Sequence, residues 1–116
     1  DNRYFVNAHV SERALREIYL KGFEIAVREA QPLSIMTSYN LLNGIHTANS
    51  HDLIQGMARD EWGFKGVVMT DWFTSQDMPM ITGKFKPAYP ISASTGCIYA
   101  GNDIQMPGCQ KNVDDM

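Results

Sequence analysis

Between Val10 and Gln31 the apolar positions Leu15, Ile18, Tyr19, Gly22, Ile25 and Ala26 recur at the i, i+3, i+4, i+7 spacing that lines one face of a helix, while Arg13, Arg16, Glu17, Glu24 and Arg28 fall mostly opposite. Ser11 stands where an N-cap belongs, its hydroxyl able to accept from the free amides of the first turn, and Pro32 supplies the stop. The pattern then changes. LSIMTS, residues 33–38, is short and mostly apolar, as expected of a strand covered on both faces. In YNLLNG the dipeptide Asn43-Gly44 readily takes positive φ, so a turn and loop follow. SHDLIQGMARDEWG predicts a second helix, capped near Ser50, with Leu53, Ile54, Met57 and Ala58 inward and Gly63 at its end. VVMT makes the next strand. The interval from Ser34 to Val67 is that of one strand–helix–strand crossover, which predicts two parallel neighbours in one sheet.

Residues 78–96 hold three prolines, two glycines and no sustained period, and read as a long loop or insertion. CIYAGNDIQMPG reads as a short helix end followed by a third strand around Asp103 to Met106, and the polar tail QKNVDDM opens another helix. Neither an internal repeat nor a low-complexity tract interrupts this α/β order.

Bulk properties narrow the function. At 116 residues the chain is one domain in size, well short of the ~250 usual for a closed eight-stranded α/β barrel. Hydrophobic residues at 44% and charged residues at 20% match ordinary globular proteins and exclude disorder, collagen-like repeats and coiled coils. Net charge is −3 with Lys and Arg scattered singly, so there is no basic stripe for nucleic acid. No apolar run approaches the ~20 residues of a membrane span, and the amino terminus lacks a signal-peptide layout. Asp1 rather than Met begins the chain, which suggests an internal start and leaves the compartment open. Cys97 and Cys109, without a CxxC pair, are expected as free thiols. His46 and His51 are spaced i, i+5 rather than the i, i+4 of zinc helices, and His9 is distant; no metal site is expected.

Parallel α/β sheets collect their sites at the carboxyl ends of strands. Asp71 lies at such an end in VVMTDW, and Tyr39 at the end of the preceding strand, which also carries Met36. A carboxylate beside Trp72 suits a carbohydrate site, where the indole packs on the sugar's apolar face and polar groups hold its hydroxyls. Equally, Asp71 would cap a following helix and Trp72 would be core. The residues alone leave both open. A phospho-accepting receiver domain also ends a strand in Asp, and DMP at 77–79 is faintly like its loop. Such a domain needs an acidic pair on an earlier strand to hold magnesium, and no strand upstream of Asp71 ends in two acids.

Taken in order, VSERALREIYLKGFEIAVREAQPLSIMTSYNLLNG, RDEWGFKGVVMTDW and AGNDIQMPG resemble consecutive segments of the catalytic domain of glycoside hydrolase family 3, the β-glucosidases and related exo-glycosidases. The resemblance covers nearly the whole chain apart from residues 78–96. It implies that residues 1–116 are a fragment of an N-terminal (β/α)8 TIM-barrel-like catalytic domain, with parallel strands and crossover helices. It also implies a retaining, exo-acting β-glycosidase that removes terminal non-reducing β-linked sugars by double displacement. On the family's motifs Asp71 in TDW is the nucleophile, Tyr39 in SYN contacts the sugar in the −1 subsite, Met36 lines the subsite wall and Trp72 is the aromatic beside the nucleophile. Arg3, in what looks like the remnant of an NQE-x-NR motif, orients the site or, alternatively, forms a structural salt bridge.

The partner is a carbohydrate substrate, with no cofactor, metal, nucleic acid or membrane implied. In the family the acid/base is a glutamate from a later domain, and a Lys-His pair upstream binds sugar hydroxyls. Both are expected from the rest of the parent chain, so the isolated chain is expected to be inactive, with a non-catalytic carbohydrate-binding fragment as the other reading. Glu61 is the nearest upstream Glu and is expected to cap or pair at the far end of its helix. The loop carrying NGIHTANS is expected to be structural. Glucose, xylose, N-acetylglucosamine and arabinose stay open as the sugar, because the loop after the Asp71 strand shapes the pocket mouth.

Overall fold

A computed structural model describes residues 3–74 and 88–115. Helix α1, residues 12–30, is built from the segments Glu12–Ala14, Leu15–Tyr19, Lys21–Ile25 and Ala26–Ala30, the second and fourth with the wide turns of a π-helix. Ser11 caps it, its hydroxyl accepting from the Ala14 amide at 3.3 Å. Gln31, at φ 48, ends it one residue before the proline that disfavours a helical predecessor. The buried stripe differs from the predicted one. Leu15 and Val27 are buried, whereas Ile18, Tyr19 and Ile25 are exposed. Each wide turn takes up an extra residue, so a stripe counted at 3.6 residues per turn drifts off the face that packs.

The strands are β1 (Asn7–Ala8), β2 (Ser34–Met36), β3 (Leu41–Leu42), β4 (Ile45–His46), β5 (Val67–Trp72) and β6 (Ile104–Met106). The main sheet runs β2-β5-β6, all parallel, with Ser34 opposite Val67 and Met36 opposite Met69. The predicted crossover is therefore present. Its helix, α2 (Asp52–Glu61), starts beside Ser50, whose hydroxyl accepts from the Leu53 amide at 3.4 Å, and Gly63 follows its end at φ 80. Ile54, Met57 and Ala58 are buried on it. Helices α3 (Ser94–Ala100) and α4 (Gln110–Asp114) flank β6 in the chain. Of the stretch read as a loop, residues 78–87 lie outside the described residues, and α3 begins at Ser94, inside it.

A second, small sheet has the order β1-β3-β4, with β1 parallel to β3 and β3 antiparallel to β4. Asn43 and Gly44, at φ 50 and 88, make the turn between β3 and β4, the pair of positive values that suits a two-residue hairpin. The turn at Asn43-Gly44 was expected, but the two short strands that it joins were not.

The core joins Leu15 and Val27 of α1, Ile54, Met57 and Ala58 of α2, then Trp62, Phe64, Val68 of β5 and Ala100 of α3. At the amino ends of the strands Asp103 Oδ2 accepts from the Val68 amide and from Arg59 Nη2, both at 2.8 Å. Arg59 also donates to the Gly66 and Gly101 carbonyls, fastening α2 to both neighbouring strands. Strand β2 is less covered than predicted: Leu33 is 87% and Met36 54% exposed, and its outer edge is unpaired among the described residues. Both cysteines are free. Among the described residues no helix is long and apolar enough to cross a membrane.

Gly66 is where β2 and β5 first meet. A Cβ there would lie 2.4 Å from the Leu33 carbonyl oxygen, which accepts the first inter-strand bond from the Val67 amide. Gly66→Ala should therefore cost about 1–3 kcal/mol of stability, read by chemical denaturation of the full-length protein. An unchanged midpoint would show that the two strands have room to part.

Candidate active site

The carboxyl end of β5 is irregular. Met69 pairs with Ile104 and Trp72 with Met106, so β5 carries one more residue than β6 across this stretch, a bulge that re-aims the side chains between them. The Thr70 hydroxyl accepts the Met106 amide at 2.9 Å inside the bulge. Beyond it the chain turns at Phe73, whose φ of 58 is the left-handed conformation that costs a bulky residue ~1–2 kcal/mol. That turn is secured. The Phe73 amide donates to the Met106 carbonyl at 2.7 Å, and the Thr74 amide and hydroxyl donate to the Asp71 carbonyl at 3.3 and 2.9 Å.

Asp71 thus sits in the bulge, partly buried, with Oδ1 accepting from the Trp72 amide at 2.7 Å. That bond is to the next residue of the same strand, not to a helix's first turn. Trp72 is 55% exposed, so its reading as a core residue does not hold in this chain.

Tyr39 follows β2 and is partly buried. Its hydroxyl is pushed up to about 12, first by burial, then by hydrogen bonding to Asp71 and by that carboxylate's charge, with Tyr4 adding to both. The phenol is therefore protonated near neutral pH and serves as a donor facing Asp71. Tyr4 lies against it, ring centroids 4.5 Å apart and planes tilted by 54°. The Arg3 guanidinium stands 4.9 Å from the Tyr39 ring centre and 5.4 Å from that of Tyr4, within cation–π range. Among the described residues these rings are its partners, rather than the salt bridge weighed above.

Three of the five candidate residues, Arg3, Tyr39 and Asp71, are thus brought into one cluster, with Trp72 adjoining Asp71 in the chain. Met36 lies on the edge strand and lines an apolar cavity of about 210 Å³ with Phe23, Ile35 and Trp62. Glu61 is engaged at the end of α2, where Arg16 holds its two oxygens at 2.7 and 3.0 Å and keeps its carboxyl below the usual range. Tyr4 was missed in the sequence, although an aromatic directly after a candidate site arginine was a usable signal. His46 was placed only in a structural loop. It is 3% exposed, and because a carbonyl only accepts, its Nδ1 carries the proton donated to the Tyr39 carbonyl at 2.9 Å. Burial pulls its pKa below the ordinary value, with that bond opposing. Among the described residues no three His, Cys, Asp or Glu side chains converge as metal ligands.

Comparison with known proteins gives the family. Residues 4–114 match the glycosyl hydrolase family 3 N terminal domain. The chain belongs to that family. It is 42% identical over 106 residues to beta-glucosidase B of Emericella nidulans, covering 91% of this chain and 11% of that protein. It is 53% identical over 76 residues to an exo-alpha-(1->6)-L-arabinopyranosidase of Bifidobacterium breve, covering 66% and 10%. Among solved structures, beta-glucosidase 3B from Thermotoga neapolitana in complex with alpha-D-glucose superposes with a TM-score of 0.77 at 40% identity, covering 98% of this chain and 14% of that one. The chain spans roughly a tenth of the length of these curated relatives. In this family 3 chain the three parallel strands and their helices are part of a (β/α)8 barrel.

The His46 environment fixes the sign of a pH effect. The unfolded imidazole takes its proton near the ordinary ~6.5 and the folded one only further down, so the stability tied to His46 is present above pH ~6.5 and is lost as pH falls through the folded value. NMR titration of the ring carbons should place His46 below the reference imidazole, and thermal melts should drop over the same window. A His46 midpoint at or above the reference would contradict the burial argument.

Proposed function

We propose that this chain is part of the N-terminal catalytic barrel domain of a retaining, exo-acting β-glycosidase that releases terminal non-reducing β-linked sugars, with Asp71 as the nucleophile. The observation that carries the reading is the placement of the Asp71 carboxylate in a bulge at the carboxyl end of β5, facing the protonated hydroxyl of Tyr39 and followed by an exposed indole. Family membership and the beta-glucosidase relatives support it.

The chemistry follows from a carboxylate held in that place. Ionised Asp71 attacks the anomeric carbon as the glycosidic C–O bond breaks, and the departing oxygen takes a proton from a second carboxylic acid. The product of this step is a glycosyl ester on Asp71. Water then attacks the same carbon from the opposite face, the second carboxylate takes its proton, and the ester bond to Asp71 breaks, so configuration is retained. That second acid, a glutamate, and a Lys-His pair for sugar hydroxyls come from the rest of the protein. Tyr39 donates to Asp71 or to the sugar, which keeps one carboxylate oxygen directed at C1. Arg3 adds positive charge behind the Tyr39 ring. Trp72 offers its face to the apolar side of the ring sugar. No cofactor takes part.

The direct test is Asp71→Ala in the full-length protein. Turnover should fall by at least about a thousandfold, and azide should restore glycosidic bond cleavage while giving the inverted glycosyl azide. Turnover equal to wild type would remove Asp71 from the mechanism.

A further inference from the structure

The backbone that carries Tyr39 is gripped by the far strand of its own hairpin. Three consecutive carbonyls accept from two adjacent residues: Ser38 from the Thr47 hydroxyl at 2.7 Å, Tyr39 from His46 Nδ1 at 2.9 Å and Asn40 from the Thr47 amide at 3.2 Å. The Ser38 hydroxyl also donates to Asn40 Oδ1 at 2.8 Å, bridging the segment from within. His46 reaches this position because it pairs with Leu41 across the β3–β4 hairpin, and Leu41 is itself buried.

The hairpin is tied in turn to the chain that bears Arg3 and Tyr4. The Leu41 and Asn43 amides donate to the Val6 and Ala8 carbonyls, each at 2.9 Å. The Gly44 amide donates to Asn7 Oδ1 at 2.8 Å, and the Asn43 side chain bonds both polar groups of the Val10 backbone. His46 is buried, so water competes little for its side of the part-buried bond to the Tyr39 carbonyl, and losing the donor would leave that carbonyl less well satisfied.

We propose that His46 and Thr47 form a positioning clamp that fixes the backbone of Ser38, Tyr39 and Asn40 and thereby holds the Tyr39 hydroxyl against Asp71. Neither residue touches the reacting atoms; both act through Tyr39. The hydroxyl stands at the far end of its side chain, so a small backbone rotation at Tyr39 is magnified there. A misplacement of ~1 Å in a catalytic constellation costs on the order of 100-fold in rate. The effect on turnover rests on the nucleophile reading, whereas the effect on Tyr39 geometry does not.

Three variants of the full-length protein separate the two. His46→Asn places an amide donor near the position of Nδ1, His46→Leu keeps similar bulk without a donor, and Thr47→Val keeps the shape of Thr47 without its hydroxyl. With the nitrophenyl glycoside that the wild type hydrolyses fastest, His46→Leu should lower kcat about 10- to 100-fold, with a smaller change in KM. His46→Asn should recover most of that loss, and Thr47→Val should show a smaller loss of the same kind. Crystal structures should show the Tyr39 hydroxyl displaced from Asp71 in His46→Leu and back in place in His46→Asn. The clamp is overturned if the Tyr39 hydroxyl keeps its place in His46→Leu, or if His46→Asn is as impaired as His46→Leu. Should His46→Leu fail to fold, Thr47→Val decides on the same two readouts. A displaced Tyr39 with unchanged kcat would uphold the clamp and place the failure in the assignment of Asp71 and Tyr39 to the reaction.

Discussion

The parallel register that sets Ser34 beside Val67 governs the rest of the structure. It brings the carboxyl ends of β2 and β5 level, so that the chain leaving β2 delivers Tyr39 to the carboxylate on β5. Two bonds bracket the short ladder that fixes it: the Val67 amide to the Leu33 carbonyl and the Thr37 amide to the Met69 carbonyl, each at 2.9 Å. A slip of one residue would turn every side chain of β5 to the other face and take Asp71 away from Tyr39. Gly66, in close contact with Leu33, and the Arg59–Asp103 pair lock the amino ends, while the bulge and the Phe73 turn shape the carboxyl ends. Stabilising contacts and the proposed site are thereby placed at opposite ends of the same strands, as in barrels generally.

That separation lets the site hold groups that a core would not tolerate. Asp71 faces a tyrosine whose proton is held more tightly by burial and by the carboxylate, and Arg3 stands over that ring and the tilted ring of Tyr4. The left-handed backbone at Phe73 is unfavourable by itself, yet it is secured by bonds to Met106 and Asp71 that also end the strand. Local cost and placement of the carboxylate are coupled, so the turn that strains one residue is the turn that directs its neighbour. Proteins that build sites on strands gain this precision from the ladder itself.

The crossover and the second helix were legible in the sequence because Ser50, Gly63 and the Val67–Thr70 run each carry a local signal that packing then reinforces. The hairpin was not, since strands of two residues are too short to show alternation, although Asn43-Gly44 marked its turn. The inner face of α1 was misjudged where π turns shift the phase, leaving Ile18 and Tyr19 outside. Pattern alone left Asp71 divided between a helix cap and a sugar site; three motifs in the right order favoured the second. Tyr4 and the His46 bond lay beyond it, because each depends on a contact between segments that the chain brings together only on folding.

One chemical event underlies this account: a bond between Asp71 and the anomeric carbon of a sugar. The full-length protein incubated with a 2-deoxy-2-fluoro glycoside, then digested and read by mass spectrometry, reports that bond directly. The account predicts a single fluoroglycosyl label on the peptide containing Thr70, Asp71 and Trp72. A label on another peptide, or inactivation that leaves this peptide unmodified, would contradict it.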